Sequence, residues 1–121
     1  MKSKMSSTLR VLCFCASLTE GYTLQENGQF HPYSIRLRAL LEEHCKPDPV
    51  VVDTAGVSGE KVVPTMTERL DKLLKQSSKP YDWVCILGGT NDLGMGASAE
   101  KLLSHLLGLH DRAKQVAGCL T

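Results

Sequence analysis

Three short segments carry the side chains most able to do chemistry. Cys15–Tyr22 contains the hydroxyl of Ser17, Gly56–Gly59 is rich in glycine, and Gly88–Asp92 contains the carboxamide of Asn91. A serine hydroxyl can act as a nucleophile, and backbone N–H groups and carboxamides can donate hydrogen bonds to an oxygen that becomes negative. Acyl transfer needs both kinds of group at one place. The elements that carry the segments therefore decide whether they can work together.

Each of these segments comes directly after an apolar run that is typical of a buried strand, and helical patterns separate the runs. The predicted strands are Leu9–Phe14, Val50–Val52 and Trp83–Leu87. Apolar residues at helical spacing predict helices from about Tyr33 to His44, from near Pro64 to Ser77, and from a cap at Ser98 to within ten residues of the C-terminus.

Strands that alternate with helices indicate parallel β-α-β units. The sequence therefore predicts an α/β fold: a doubly wound, flavodoxin-like parallel sheet in three α/β/α layers, with strand order 2-1-3. Open sheets of this kind usually have about five or more strands, so this sheet is expected to lack its C-terminal strands. The carboxyl ends of parallel strands meet at one edge, where ligands bind, and the three polar segments should converge there.

In this order, the three segments resemble the sequence blocks of the SGNH (GDSL-like) hydrolase family. Ser17-Leu18-Thr19 with Gly21-Tyr22 matches the nucleophile block, Val57-Ser58-Gly59-Glu60 matches the glycine block, and Gly88-Gly89-Thr90-Asn91-Asp92 matches the G-x-N-D block. The resemblance implies that Ser17 attacks an ester carbonyl. It also implies that the Ser17 N–H, the Gly59 N–H and the Asn91 carboxamide form an oxyanion hole.

Each of these residues also has a simpler structural interpretation. Ser17 and Glu20 form an S-x-x-E capping box, so Ser17 could begin a helical turn. Gly59 could be a turn glycine, and Asn91-Asp92 could be a loop that caps the next element of the chain. Three ordered matches, each placed directly after a buried strand, favour the family resemblance over three separate coincidences.

The sequence departs from the family pattern in two places. Cys15-Ala16 stands where the family usually has Gly-Asp before the serine. The family's last block, D-x-x-H, supplies the catalytic acid and base, and it does not occur in the printed sequence. The residues three places after the aspartates are Val51, Gly56, Leu74, Cys85, Met95 and Lys114.

Four histidines could be considered as substitutes for the missing base. His44, His105 and His110 lie on or beside predicted helices, away from the strand ends. His31 comes after the nucleophile segment, and a role in substrate contact or structure is favoured for it over catalysis.

These residues are compatible with two functional classes, and a third is weaker. The first is a serine hydrolase of acyl or acetyl esters, and the second is a non-catalytic binding or regulatory module that retains the oxyanion pocket. Nucleotide binding is the third. Gly56–Lys61 lacks the G-K-[ST] of a phosphate-binding loop, and Gly88–Asn91 lacks G-x-G-x-x-G.

Composition sets the remaining expectations. The 121 residues, with 42% hydrophobic and 22% charged residues and a net charge of +1, fit one domain, residues 1–121, the N-terminal portion of an SGNH hydrolase-type domain. A small ester is the expected binding partner, and binding to nucleic acid or to a membrane is not expected. Self-association through an exposed sheet edge is expected. Five cysteines without scaffold or zinc spacing predict reduced thiols, a cytoplasmic protein, and neither metal nor cofactor.

Overall fold

A computed structural model describes residues 8–15, 33–57, 60–117 and 120–121 of the chain. Strands and helices alternate along it, with a kinked π-type turn at Val62–Met66. In chain order the elements are β1 (Leu9–Cys15), α1 (Tyr33–Cys45), β2 (Val50–Gly56), α2 (Thr67–Gln76), β3 (Trp83–Leu87), α3 (Thr90–Gly94) and α4 (Ala99–Ala117).

The strands form a parallel sheet in the order β2-β1-β3, as the sequence predicts. In the register, Cys13 of β1 lies between Thr54 of β2 and Cys85 of β3. Because side chains alternate along a strand, these three residues share one face of the sheet.

Helices cover both faces of the sheet. On one face Leu12 and Phe14 belong to a buried cluster with Leu70 of α2 and Leu109 of α4. On the other face α1 packs against β2, where the hydroxyls of Ser34 and Thr54 are hydrogen-bonded at 2.5 Å. This is the predicted three-layer α/β/α arrangement.

The element boundaries differ from the sequence prediction in several places, and β2, for example, continues to Gly56 rather than ending at Val52. Helix α2 begins at Thr67 rather than near Pro64, because Val63 has extended backbone angles (φ −105°, ψ 123°) inside the preceding turn. The short helix α3 occupies a segment predicted as a loop. The predicted cap of α4 is confirmed, since the Lys101 N–H donates to the Ser98 hydroxyl at 3.2 Å.

The edge of β3 is paired at one end. Leu120 makes a parallel bridge with Trp83: the Val84 N–H donates to the Leu120 carbonyl at 2.9 Å, and the Leu120 N–H donates to the Asp82 carbonyl at 3.0 Å. Leu120 therefore adds a single bridge beside Trp83, and among the described residues no fourth strand covers the rest of this edge. The side chains of Trp83 and Leu87 are nevertheless 43% and 48% exposed.

Across residues 8–15, 33–57, 60–117 and 120–121, none of the helices has the length and apolar character that crossing a membrane requires. The same residues contain no group of three or more side chains arranged to hold a metal ion.

Candidate active site

Asn91 lies in the first turn of α3, at the carboxyl end of β3. Gly89, which precedes this helix, has a left-handed backbone (φ +114°) that lets the chain turn sharply from strand to helix. The Asn91 Nδ2 donates a hydrogen bond to the Glu60 carbonyl oxygen at 2.9 Å. The loop after β2 and the helix after β3 therefore meet at one edge of the sheet.

Ser17 and Gly59, the other two candidate residues, lie outside the described residues. The described residue nearest to Ser17 in the sequence is Cys15, the last residue of β1, and Glu60 directly follows Gly59. The Val57 N–H donates to the Cys15 carbonyl at 3.1 Å, which holds the end of β1 beside the loop that leaves β2. The convergence of Ser17 and Gly59 with Asn91 stays a prediction.

Asp92 anchors the same loop from inside the protein. Its carboxylate is 1% exposed and accepts hydrogen bonds from the backbone N–H groups of Val62, at 2.7 Å, and Val63, at 3.1 Å. A buried carboxylate needs such donors, because leaving water without them costs several kcal/mol. The Asp92 side chain thus binds back to the turn before α2, while its backbone carbonyl accepts the N–H groups of Met95 and Ala97.

Arg69 of α2 joins the ends of two strands to the loop. Its guanidinium donates to the Cys15 carbonyl at 2.9 Å and to the Ala55 carbonyl at 3.0 Å, and it forms a bidentate ion pair with Glu60, at 2.6 and 2.9 Å. Its Cζ atom lies 4.1 Å from the centroid of the Phe14 ring. Only the planar, forked arginine head can satisfy this many partners at once.

No sequence pattern predicted the Arg69 contacts. The residues that Arg69 binds are separated from it by 9, 14 and 54 positions, and none of these spacings matches a helix or strand period. The sequence offers only one indication of these contacts. Glu60, the ion-pair partner of Arg69, is a carboxylate directly after the candidate oxyanion glycine.

A cavity of about 230 Å³ lies beside the Asp92 anchor. Its lining comes from the turn after β2, from α3 and from the start of α4: Lys61, Val63, Asp92, Met95, Gly96, Ala97, Lys101 and Leu102. Asn91 does not line this cavity. The cavity therefore adjoins the loop anchor and not the candidate oxyanion donor.

Two of the described histidines have hydrogen-bond partners at or beyond α4. In α4, His105 Nδ1 is hydrogen-bonded to the Lys101 carbonyl at 2.9 Å, and His110 Nδ1 to the Thr121 hydroxyl at 2.8 Å. His44 lies in the last turn of α1. His31 lies outside the described residues.

A parallel sheet in the order β2-β1-β3 between two helix layers is the fold that this chain shares with solved SGNH-type hydrolases. The chain belongs to the GDSL-like lipase/acylhydrolase family, whose model matches residues 16–120. A comparison with curated proteins found no match.

Solved structures of similar fold include several esterases. The chain is 24% identical to AlinE4, an SGNH-hydrolase family esterase (TM-score 0.76, covering 93% of this chain and 56% of that one). It is 25% identical to the psychrotrophic esterase EstA from a Pseudoalteromonas species (TM-score 0.66, 92% and 57%). A carbohydrate acetylesterase family member from Sinorhizobium meliloti is 21% identical (TM-score 0.66, 86% and 54%). The chain thus spans little more than half the length of these neighbours.

Proposed function

We propose that this chain provides the nucleophile and the oxyanion donors of a hydrolase acting on small acyl or acetyl esters. Ser17 is the proposed nucleophile, and the N–H groups of Ser17 and Gly59 with the carboxamide of Asn91 are the proposed donors. On this proposal residues 1–121 are the N-terminal portion of one SGNH hydrolase-type domain.

The observation that carries the proposal is the hydrogen bond from the Asn91 Nδ2 to the Glu60 carbonyl. The bond holds the carboxamide against Glu60, the residue that directly follows Gly59 in the sequence. This contact lies at the edge of the sheet where β1 also ends. A carboxamide nitrogen carries two N–H groups, and this contact uses one of them. Among the described residues no acceptor binds the second N–H, which can then donate to a substrate oxygen.

The chemistry assigned to these residues is addition to a carbonyl carbon. The Ser17 oxygen would form a bond to that carbon while its proton passes to a base, and the carbonyl π pair would move onto oxygen. The three donors would stabilise the resulting oxyanion, and loss of one such donor typically costs about 100- to 1000-fold in rate. Collapse of the tetrahedral intermediate would expel the alcohol and leave an acyl group on Ser17.

A second candidate function is a binding or regulatory module that keeps the oxyanion pocket without turnover. It is favoured by one fact about the sequence, the lack of a D-x-x-H block. A serine hydroxyl is a weak nucleophile near neutral pH unless a histidine accepts its proton and a carboxylate orients that histidine.

The cellular setting is proposed from the thiols. Cys13, Cys15, Cys45 and Cys85 are all free, and two of them are buried. Free thiols persist in reducing compartments, which supports a cytoplasmic location.

Hydrolysis of p-nitrophenyl acetate tests the proposal. We expect the 121-residue chain to be slower than a version extended through a family D-x-x-H block by something on the order of 10⁴ to 10⁶. In the extended version, Ser17→Ala should abolish turnover and Asn91→Ala should lower kcat, whereas Ser98→Ala, at the cap of α4, should leave kcat unchanged.

Phosphonate labelling gives an independent readout. EstA is inhibited by monoethylphosphonate, so a fluorinated ethyl phosphonate should add one phosphonyl group to Ser17 of the extended version. If the extended version bound the ester without hydrolysing it or taking the label, the binding module would be the correct interpretation. Robust Ser17-dependent turnover by the short chain would instead point to His31 or a histidine of a second subunit as the base.

A further inference from the structure

Two thiols face each other in the sheet, away from the residues proposed for ester chemistry. Cys13 of β1 and Cys85 of β3 are register partners on the face that α1 covers in part. Cys13 is fully buried, whereas Cys85 is partly exposed. Their side chains are hydrogen-bonded to each other.

Cys85 lies in an apolar groove of about 170 Å³ between α1 and the sheet. The other lining residues come from all three elements and carry no ionisable group: Leu9, Val11, Leu37, Leu41 and Trp83. An apolar protein cavity of about 150 Å³ accepts a benzene molecule. The groove therefore has room for one aromatic ring or a short alkyl chain, with the Cys85 sulfur as its reactive atom.

The hydrogen bond from Cys13 favours the thiolate of Cys85. It lowers the pKa of Cys85 to about 7, against the opposing effect of burial. The same hydrogen bond, together with burial, raises the pKa of Cys13, so Cys13 remains the protonated donor, and Tyr33 is a further hydrogen-bond partner of Cys13. Thiolate character and partial exposure are the two properties that make a cysteine reactive.

We propose that Cys85 is a covalent modification site for uncharged, apolar Michael acceptors, which the groove holds against its sulfur. In the reaction the thiolate forms a bond to the β-carbon of an activated alkene. The alkene π pair moves to the α-carbon as an enolate, which takes a proton from water. The thiol proton of Cys85 has already passed to solvent, so the reaction needs no oxidant.

Two matched reagents test this on the full chain. N-phenylmaleimide and N-(4-carboxyphenyl)maleimide share one reactive group and differ by a carboxylate. Labelling rates would be measured by peptide mass spectrometry at Cys85 and, in the same molecules, at Cys45 in the last turn of α1. We expect the preference for the uncharged reagent to be at least about tenfold greater at Cys85 than at Cys45, because the carboxylate must leave water to enter the groove. The rate at Cys85 should be half-maximal at a pH below 9.0, the ordinary pKa of a cysteine thiol.

Variants distinguish the effect of the groove on Cys85 labelling from the effect of the thiol pair. Leu37→Asp, in the groove, should remove the preference at Cys85, whereas Leu40→Asp, at an exposed position of α1, should not. Cys13→Ala removes the hydrogen-bond donor and should slow labelling of Cys85 at pH 7 by about fivefold, since the thiolate fraction falls while its nucleophilicity rises.

One further measurement uses the unchanged chain, so its result does not depend on whether a variant folds. Unreactive N-phenylsuccinimide, at millimolar concentration, should protect Cys85 but not Cys45 from N-phenylmaleimide. Equal labelling of the two cysteines by both reagents, or failure of the succinimide to protect Cys85, would overturn the proposal.

Discussion

The Asp92 carboxylate, almost completely buried, accepts the backbone N–H of Val62 at 2.7 Å. Its second oxygen accepts the N–H of Val63 at 3.1 Å. The helix that presents Asn91 and the turn after the glycine loop are thereby joined through one side chain. The strength of this contact decides how firmly the candidate oxyanion donor is held against the loop.

Replacing Asp92 with asparagine should cost about 2 kcal/mol of unfolding free energy. The amide offers one acceptor oxygen, and its NH₂ group would face the N–H that the second carboxylate oxygen now accepts. Urea unfolding of Asp92→Asn would measure the loss, with Asp111→Asn, at an exposed position of α4, as the control within about 0.5 kcal/mol of the parent. Equal stabilities for the two variants would show that the buried contact contributes nothing.

Two glycines should respond in opposite directions to alanine. At Gly89, where φ is +114°, an added Cβ would lie 2.8 Å from Leu102 Cδ2. Backbone strain and overpacking together should cost about 2 to 4 kcal/mol. At Gly108, inside α4, an added Cβ meets nothing within 4 Å, and Gly108→Ala should gain about 0.5 to 1 kcal/mol from helix propensity. Thermal unfolding of both variants checks the signs, and a stable Gly89→Ala protein would contradict the geometry.

The sequence was informative wherever the signal was local and repeated. The apolar runs Leu9–Phe14 and Trp83–Leu87 predicted their strands because a strand buried on both faces must be apolar along its whole length. Alternation of these runs with helices then indicated parallel β-α-β units. Ser98 was identified as a cap because capping depends on residues three positions apart.

Contacts between distant residues could not be read from the sequence. The five-residue helix α3 is too short to show a period, and Gly88-Gly89 before it is typical of a loop. Arg69 could not be matched to the carbonyls of Cys15 and Ala55, because every residue carries the same carbonyl and only the folded chain selects two of them. Likewise, Asn91 was predicted to lie at the sheet edge, but its bond to Glu60 was not.

Tyr81 should make stability fall at alkaline pH. Burial, and then a 2.5 Å hydrogen bond that its hydroxyl donates to Asp53, raise the pKa of Tyr81 to about 12, against about 10 for a free tyrosine. A raised pKa means that this contribution is complete below about pH 10 and is lost as the pH rises toward 12, for a total of about 2 to 3 kcal/mol. Urea unfolding across this pH range should show a shallower decline in the free energy of unfolding for Tyr81→Phe than for the parent. Parallel curves would show that Tyr81 does not cause the decline.

The edge of β3 should make the chain self-associate. Leu120 pairs with Trp83 at one end of the strand, but within the described residues nothing pairs with this edge beside Ile86. An unpaired strand edge with an exposed apolar side chain such as Leu87 is a template for a second chain. Sedimentation velocity should show association that increases with protein concentration. Leu87→Lys should shift the chain toward monomer, whereas Leu103→Lys, at an exposed position on α4, should not. A monodisperse monomer at all concentrations, with cooperative unfolding and no binding of apolar dyes, would refute the prediction and indicate that the single bridge at Leu120 is enough to protect the edge.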